Sequence, residues 1–142
     1  MFRVHQFNKV EMFVFTDPGA SSAEHDRMVA LEEEFLQRLG LPYRAVNVAA
    51  GDLGAPATRK VDIEAWFPSQ KRYREVTSCS NTTDYQARRL GIRVRREGSL
   101  ETPHTLNGTM VTDRAVLALL ENFQGDVPEV LTAYGAPARV EP

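Results

Sequence analysis

The hydrophobic positions of this chain change period several times along its length. From Arg3 to Phe15 they alternate in part, with Val and Phe prominent, and the period of two predicts a strand. Asp17-Pro18-Gly19 interrupts it. Ser21-Ser22-Ala23-Glu24 then has the spacing of a capping box, and Met28, Leu31, Phe35 and Leu39 recur at helical intervals up to Gly40. This pattern predicts an amphipathic helix with Glu32, Glu33 and Arg38 toward water and His25 exposed. Tyr43–Val48 reads as a short strand and Ala49–Gly54 as a loop. Val61–Phe67 and Tyr73–Ser80 alternate again, predicting two further strands. A short helix from Thr83 carries Tyr85, Arg88 and Arg89 to a stop at Gly91, and Ile92–Arg96 reads as a strand followed by a loop through Gly98, Ser99 and Pro103. His104–Thr109 is a predicted strand, and Val116, Leu117, Leu120 and Phe123 mark a last amphipathic helix that ends at Gly125. Strands next to strands, with helices interspersed, predict an α+β fold: an antiparallel sheet flanked by helices.

Composition narrows the class. The chain has 142 residues, 42% hydrophobic and 25% charged, with a net charge of −2. Length and composition fit one globular domain and exclude a disordered charged tail. The small net charge argues against a dedicated electrostatic nucleic-acid binder, and the arginines at 88, 89, 93, 95 and 96 read first as a solvated surface. The single cysteine, Cys79, excludes an intrachain disulfide and a multi-cysteine metal site. No apolar run approaches the length of a membrane span, and the first residues lack the apolar stretch of a secretory signal. The expected location is cytoplasmic, with no membrane partner.

Three clusters carry candidate chemistry. On a strand, Arg3, His5, Phe7, Lys9 and Glu11 share one face, a combination that suits a nucleotide as well as it suits an exposed strand. In the second cluster, strand period places Glu75 and Thr77 on one face and Ser78 on the other. A carboxylate near a hydroxyl offers hard oxygen ligands to magnesium, although threonine-rich strands are common. The third is Thr105-Leu106-Asn107-Gly108-Thr109 followed by Arg114, where glycine admits close backbone approach and arginine offers a fixed charge for phosphate. His5, His25 and His104 are too scattered to form a metal site. No Gly-rich phosphate loop or Gly-x-Ser-x-Gly nucleophile turn is present.

Taken together, these stretches resemble the seryl-tRNA synthetases, a class II aminoacyl-tRNA synthetase family. The resemblance is carried by RVHQFNKVEMF (Arg3–Phe13), by AAGDLGAPATRKVDIEAWFPSQKRYREVTSCSNTTDYQARR (Ala49–Arg89), by TLNGTMVTDRAVLALLENFQ (Thr105–Gln124) and by VPEVLTAYG (Val127–Gly135). The first stretch is similar to the second half of class II motif 2, and the third to motif 3. The resemblance implies a class II catalytic core with ATP and Mg2+ as its cofactors, and serine, ATP and tRNA(Ser) as its partners. By position, Phe7 would stack on adenine, and Arg3 and Arg114 would act as catalytic cations on phosphate. Glu75, Val76, Thr77 and Ser78 would line the ATP, with Glu75 and Ser78 holding the metal, and Glu11, Asn107 and Thr109 would surround serine.

The same resemblance marks what residues 1–142 lack. The family's Arg-x-Glu half of motif 2, its Thr-x-Glu serine loop, motif 1 with the homodimer interface and the N-terminal tRNA-binding helical arm have no counterpart here. The expectation is a partial catalytic domain, truncated at its N-terminal side, that does not sustain ligase turnover alone. Asp113, beside Arg114, departs locally from the pattern and would weaken the field on phosphate unless it points away. A second reading is a non-catalytic relative that binds ATP, an amino acid or a protein partner.

Overall fold

A computed structural model describes residues 2–140. In chain order it runs β1 (Lys9–Thr16), α1 (Ser21–Arg38), β2 (Tyr43–Asn47), β3 (Arg59–Phe67), β4 (Arg72–Asn81), α2 (Tyr85–Leu90), β5 (Val94–Arg96), β6 (Ser99–Glu101), β7 (His104–Thr112), α3 (Asp113–Phe123) and α4 (Glu129–Thr132). Five strands pair in the order β1-β7-β4-β3-β2, every pair antiparallel. The predicted α+β sheet flanked by helices is therefore the observed one.

β3 follows the period of two: Val61, Ile63, Ala65 and Phe67 are buried while Lys60, Asp62, Glu64 and Trp66 are half-buried. Ile63, Ala65 and Phe67 join Leu36, Leu39, Leu41, Val76 and Ala118 in one core, and Met28, Cys79 and Leu106 form a second beneath β4 and β7. Each of the larger side chains contributes about 1.5–3 kcal/mol by leaving water. Burial also pushes the Cys79 thiol up to about 12, which keeps it protonated and inert.

Two register shifts re-aim the polar positions. Ile63 pairs with Thr77 but Glu64 pairs with Glu75, so Val76 is an extra residue on β4. Thr77 consequently turns to the buried side with Ile63, whereas Ser78 and Glu75 lie with Asp62 and Glu64 on the other side. This corrects the simple alternation, which grouped Glu75 with Thr77. A matching shift lies between Val10 and Glu11, where Glu11 comes to pair with Thr109.

Several local expectations fail for identifiable reasons. The first strand begins at Lys9, not Arg3, because its partner β7 ends at Thr112 and the chain there turns into α3; residues before Lys9 have no ladder to join. The capping box does not form. Ser21 Oγ donates to the Pro18 carbonyl and pairs with His104 Nδ1, while Glu24 pairs with Arg27. His25 and Glu32, expected in water, are fully buried, since α1 turns the stripe Ser21, His25, Met28, Glu32 and Leu36 to the sheet. The expected loop at Gly98–Ser99 is a hairpin whose turn residues Glu97 and Gly98 both have positive φ (45° and 88°), the geometry that matches strand twist. β7 runs on to Thr112, and α4 lies in a segment for which no helix was expected.

Candidate functional site

β4 and β7 are paired only where Cys79–Asn81 meet Leu106–Gly108. Beyond that short ladder the strands part, and a cavity of about 430 Å³ opens between them, floored by the N-terminal turn of α3 and closed on one side by residues 2–9. Arg3, Phe7, Glu75, Val76, Thr77, Ser78, Thr109 and Arg114 all line it. Thr77 does so with its side chain directed to the buried face. A second, more open hollow shares Phe2, Arg3, Glu75 and Arg114 with the first.

Arg114 is held from several directions. Its main-chain N–H donates to Thr112 Oγ1 at 3.3 Å, which caps α3. Its Nη1 donates to the Glu75 carbonyl at 3.1 Å and lies 3.5 Å from Glu75 Oε2. The guanidinium also covers the Phe2 ring at 4.6 Å, and Arg74 covers the same ring at 4.2 Å. Phe2 in turn rests edge-on against Phe67, with centroids 5.3 Å apart. A guanidinium fixed in this way presents its free donors to an anion with little left to order. Asp113 lines the same cavity and is engaged by the chain before β1: its Oδ2 accepts from the Asn8 main-chain N–H at 3.1 Å.

Glu11 and Asn107 lie outside the cavity lining, yet they are joined to it through Thr109. Thr109 Oγ1 donates to Glu11 Oε2 at 2.9 Å, Asn107 Nδ2 donates to Oε1 at 3.4 Å, and Lys9 Nζ lies 2.9 Å from Oε2. Gln86 Nε2 donates to Asn107 Oδ1 at 3.4 Å, which fixes the amide's orientation from α2. The arrangement is a hydroxyl–carboxylate–amide group beside a cation-bearing cavity. It can bond a small molecule that carries both an ammonium and a hydroxyl.

Lys9, one of the first cluster, lines the cavity too, whereas Phe2 and Thr112 belong to it although pattern reading did not select them. Their roles depend on the parting of β4 and β7, which no local period signals. Among the described residues no cluster of three or more His, Cys, Asp or Glu could hold a metal, and no helix is long and apolar enough to cross a membrane.

Comparison with known proteins places this geometry. Residues 1–123 match the profile of the tRNA synthetase class II core domain (G, H, P, S and T). The chain is 49% identical to the serine–tRNA ligase of Dictyoglomus thermophilum, with all of this chain and 35% of that protein covered. It is 54% identical to that of Rubrobacter xylanophilus, over 94% of this chain and 33% of the relative. The seryl-tRNA synthetase of Pyrococcus horikoshii complexed with ATP superposes with a TM-score of 0.92 at 47% identity, covering 99% of this chain and 34% of that one. A cytoplasmic serine–tRNA ligase of Naegleria fowleri in complex with AMP gives 0.89 at 42% identity, covering 99% and 36%. The chain thus spans about a third of the length of the relatives it matches.

Proposed function

Since the chain belongs to the class II tRNA synthetase core family, we propose that its cavity binds ATP and serine and serves the ATP-dependent activation of serine to seryl-adenylate, ahead of transfer to tRNA(Ser) in the cytoplasm. The observation that carries this reading is the convergence of Arg3, Phe7, Glu75, Ser78, Thr109 and Arg114, drawn from three distant parts of the chain, on one cavity. Phe7, half-exposed at the rim, offers a ring to the adenine. Arg3 and Arg114 supply positive charge to the phosphates. Glu11, Asn107 and Thr109 take the serine ammonium and hydroxyl.

In the proposed step a serine carboxylate oxygen attacks the α-phosphorus of ATP. A P–O bond forms to the carboxylate, the bond to pyrophosphate breaks, and pyrophosphate leaves. The nucleophile is already ionised near neutral pH, so the step needs alignment and charge neutralisation rather than a general base. Glu75 and Ser78 emerge on the same side of β4 because of the bulge at Val76. As two hard oxygen donors they would hold Mg2+, which would supply charge neutralisation on the phosphates when bound.

Calorimetric titration with a non-hydrolysable seryl-adenylate analogue tests the reading. Saturable binding that is weakened in Arg114→Ala and in Thr109→Val is the expected result; no binding of either the analogue or ATP overturns it. Serine-dependent ATP–pyrophosphate exchange, abolished by Glu75→Ala, is the corresponding catalytic readout.

A further inference from the structure

Glu32 is the most anomalous side chain in the molecule. It lies on α1, its exposure is 0%, and neither carboxylate oxygen has a hydrogen-bond partner. Thr77 Oγ1, which it faces, is likewise buried and unpartnered. Beneath it is Gly108, where a β-carbon would come 2.8 Å from Glu32 Oε1 and 3.2 Å from the Met28 terminal methyl. The glycine therefore leaves the space that the carboxyl group occupies. Both contact residues adjoin cavity-lining groups: Thr77 precedes Ser78, and Gly108 precedes Thr109.

We propose that Glu32 is a positioning residue for the site, its carboxyl group wedged under Gly108 and against Thr77 so that α1 sets where β4 and β7 part. The proposal rests on the functional reading above only in treating Ser78, Asn107 and Thr109 as site groups. Two neighbouring ties support the geometry. Ser21 on α1 accepts at its carbonyl from Asn81 Nδ2 (3.1 Å), and His25 Nε2 meets the Cys79 carbonyl (3.2 Å). Asn81, Cys79 and Thr77 are alternate residues of β4, so α1 follows the strand with one polar contact every second residue, and Glu32 makes the last of them at the point where β4 leaves β7.

The charged form has no cation to stabilise it there, only the Thr77 hydroxyl. The titratable groups that face Glu32 are Glu11 from β1, Asp62 from β3 and Cys79 from β4, and β7 meets it with Gly108. None is a cation at neutral pH. Burial, reinforced by Glu11 and Asp62 and partly offset by the Thr77 hydroxyl, holds the carboxyl at about 8. From about 4.5 up to that value the folded protein keeps a proton that the unfolded chain has lost, so raising the pH favours unfolding by up to about tenfold per unit. His25 works in the opposite sense. Burial lowers its pKa from 6.5, so stability falls as the pH drops below that value. The interval from 6.5 to 8 isolates Glu32.

Urea unfolding of the wild-type chain and of Glu32→Gln is measured across that interval, together with the amide NMR resonances of Ser78 and Thr109. The wild-type unfolding constant should rise by up to about tenfold per pH unit while that of Glu32→Gln stays flat. The Ser78 and Thr109 resonances should titrate in the wild type and not in the variant. Thr77→Val, a second variant of similar volume, should extend the decline to higher pH because the ionised form loses its only hydroxyl neighbour. Parallel profiles for wild type and Glu32→Gln overturn the proposal. So do Ser78 and Thr109 resonances indifferent to pH, or a Thr77→Val profile identical to wild type. Failure of the seryl-adenylate analogue to bind would overturn the functional reading instead and leave these profiles unchanged.

Discussion

The two sides of β4 are built on opposite plans. On the cavity side, Ser78 and Glu75 are half-buried, their neighbours are charged, and the adjoining strand has moved away. On the helix side, Thr77 and Cys79 are buried beneath α1, yet the helix meets them with His25 and Glu32 rather than with aliphatic residues alone. The cavity side leaves polar groups free for a ligand, so it contributes little to folding. The helix side uses polar groups as fixed ties within an apolar layer, where an unsatisfied one costs free energy and a satisfied one specifies register. One strand can hold a site rigidly because its other side is fastened.

This contrast can be broken most strongly from the packed side. Phe67→Ala should cost about 3–5 kcal/mol in urea unfolding, because a fully buried ring is lost and the Phe2 edge contact goes with it. Arg114→Ala should act on the other side of the division. It should weaken binding of a seryl-adenylate analogue by about 1.5–3 kcal/mol, roughly ten- to a hundredfold, as a charge-assisted contact is lost. Thr109→Val removes the hydroxyl that donates to Glu11, and discrimination between seryl and alanyl analogues should fall by about 1–2 kcal/mol in the same titration. Arg59→Gln sets the baseline. Its ion pair with Asp26 is well exposed on both sides, so the expected loss is about 0.2–1 kcal/mol, and less at high salt. A reversal of the first two, with Arg114→Ala unfolding the chain or Phe67→Ala affecting only binding, would dissolve the distinction between the faces.

Much of this organisation is legible in the residues themselves. The alternation in Val61–Phe67 places its inward side chains correctly, and Gly91, with φ of 68°, ends α2 where expected. Eight of the ten site residues selected from motif, pattern and resemblance line one cavity; of the other two, Glu11 bonds to Thr109, one of the eight, and Asn107 bonds to Glu11. The errors share a physical origin. Glu32 and His25 were assigned to water because charge and polarity ordinarily indicate exposure, but the side of a helix that is buried is fixed by what lies across from it. The wrong face for Thr77 came from a bulge, which inserts one residue and inverts every alternation argument on one side of it. Asp113, beside Arg114, is engaged by the Asn8 amide, a partner 105 positions away in sequence.

From the order of residues alone follow the elements with strong periodicity, the antiparallel α+β class and the presence of the cations, carboxylates and hydroxyls to which the family resemblance gives roles. These depend on local propensity and on side-chain chemistry, both carried by short stretches of chain. Where β4 separates from β7, which side of α1 is buried, and that an acid sits buried against a glycine were decided only on folding. Each depends on contacts between residues tens of positions apart, and only packing determines which of the sterically possible registers excludes water best.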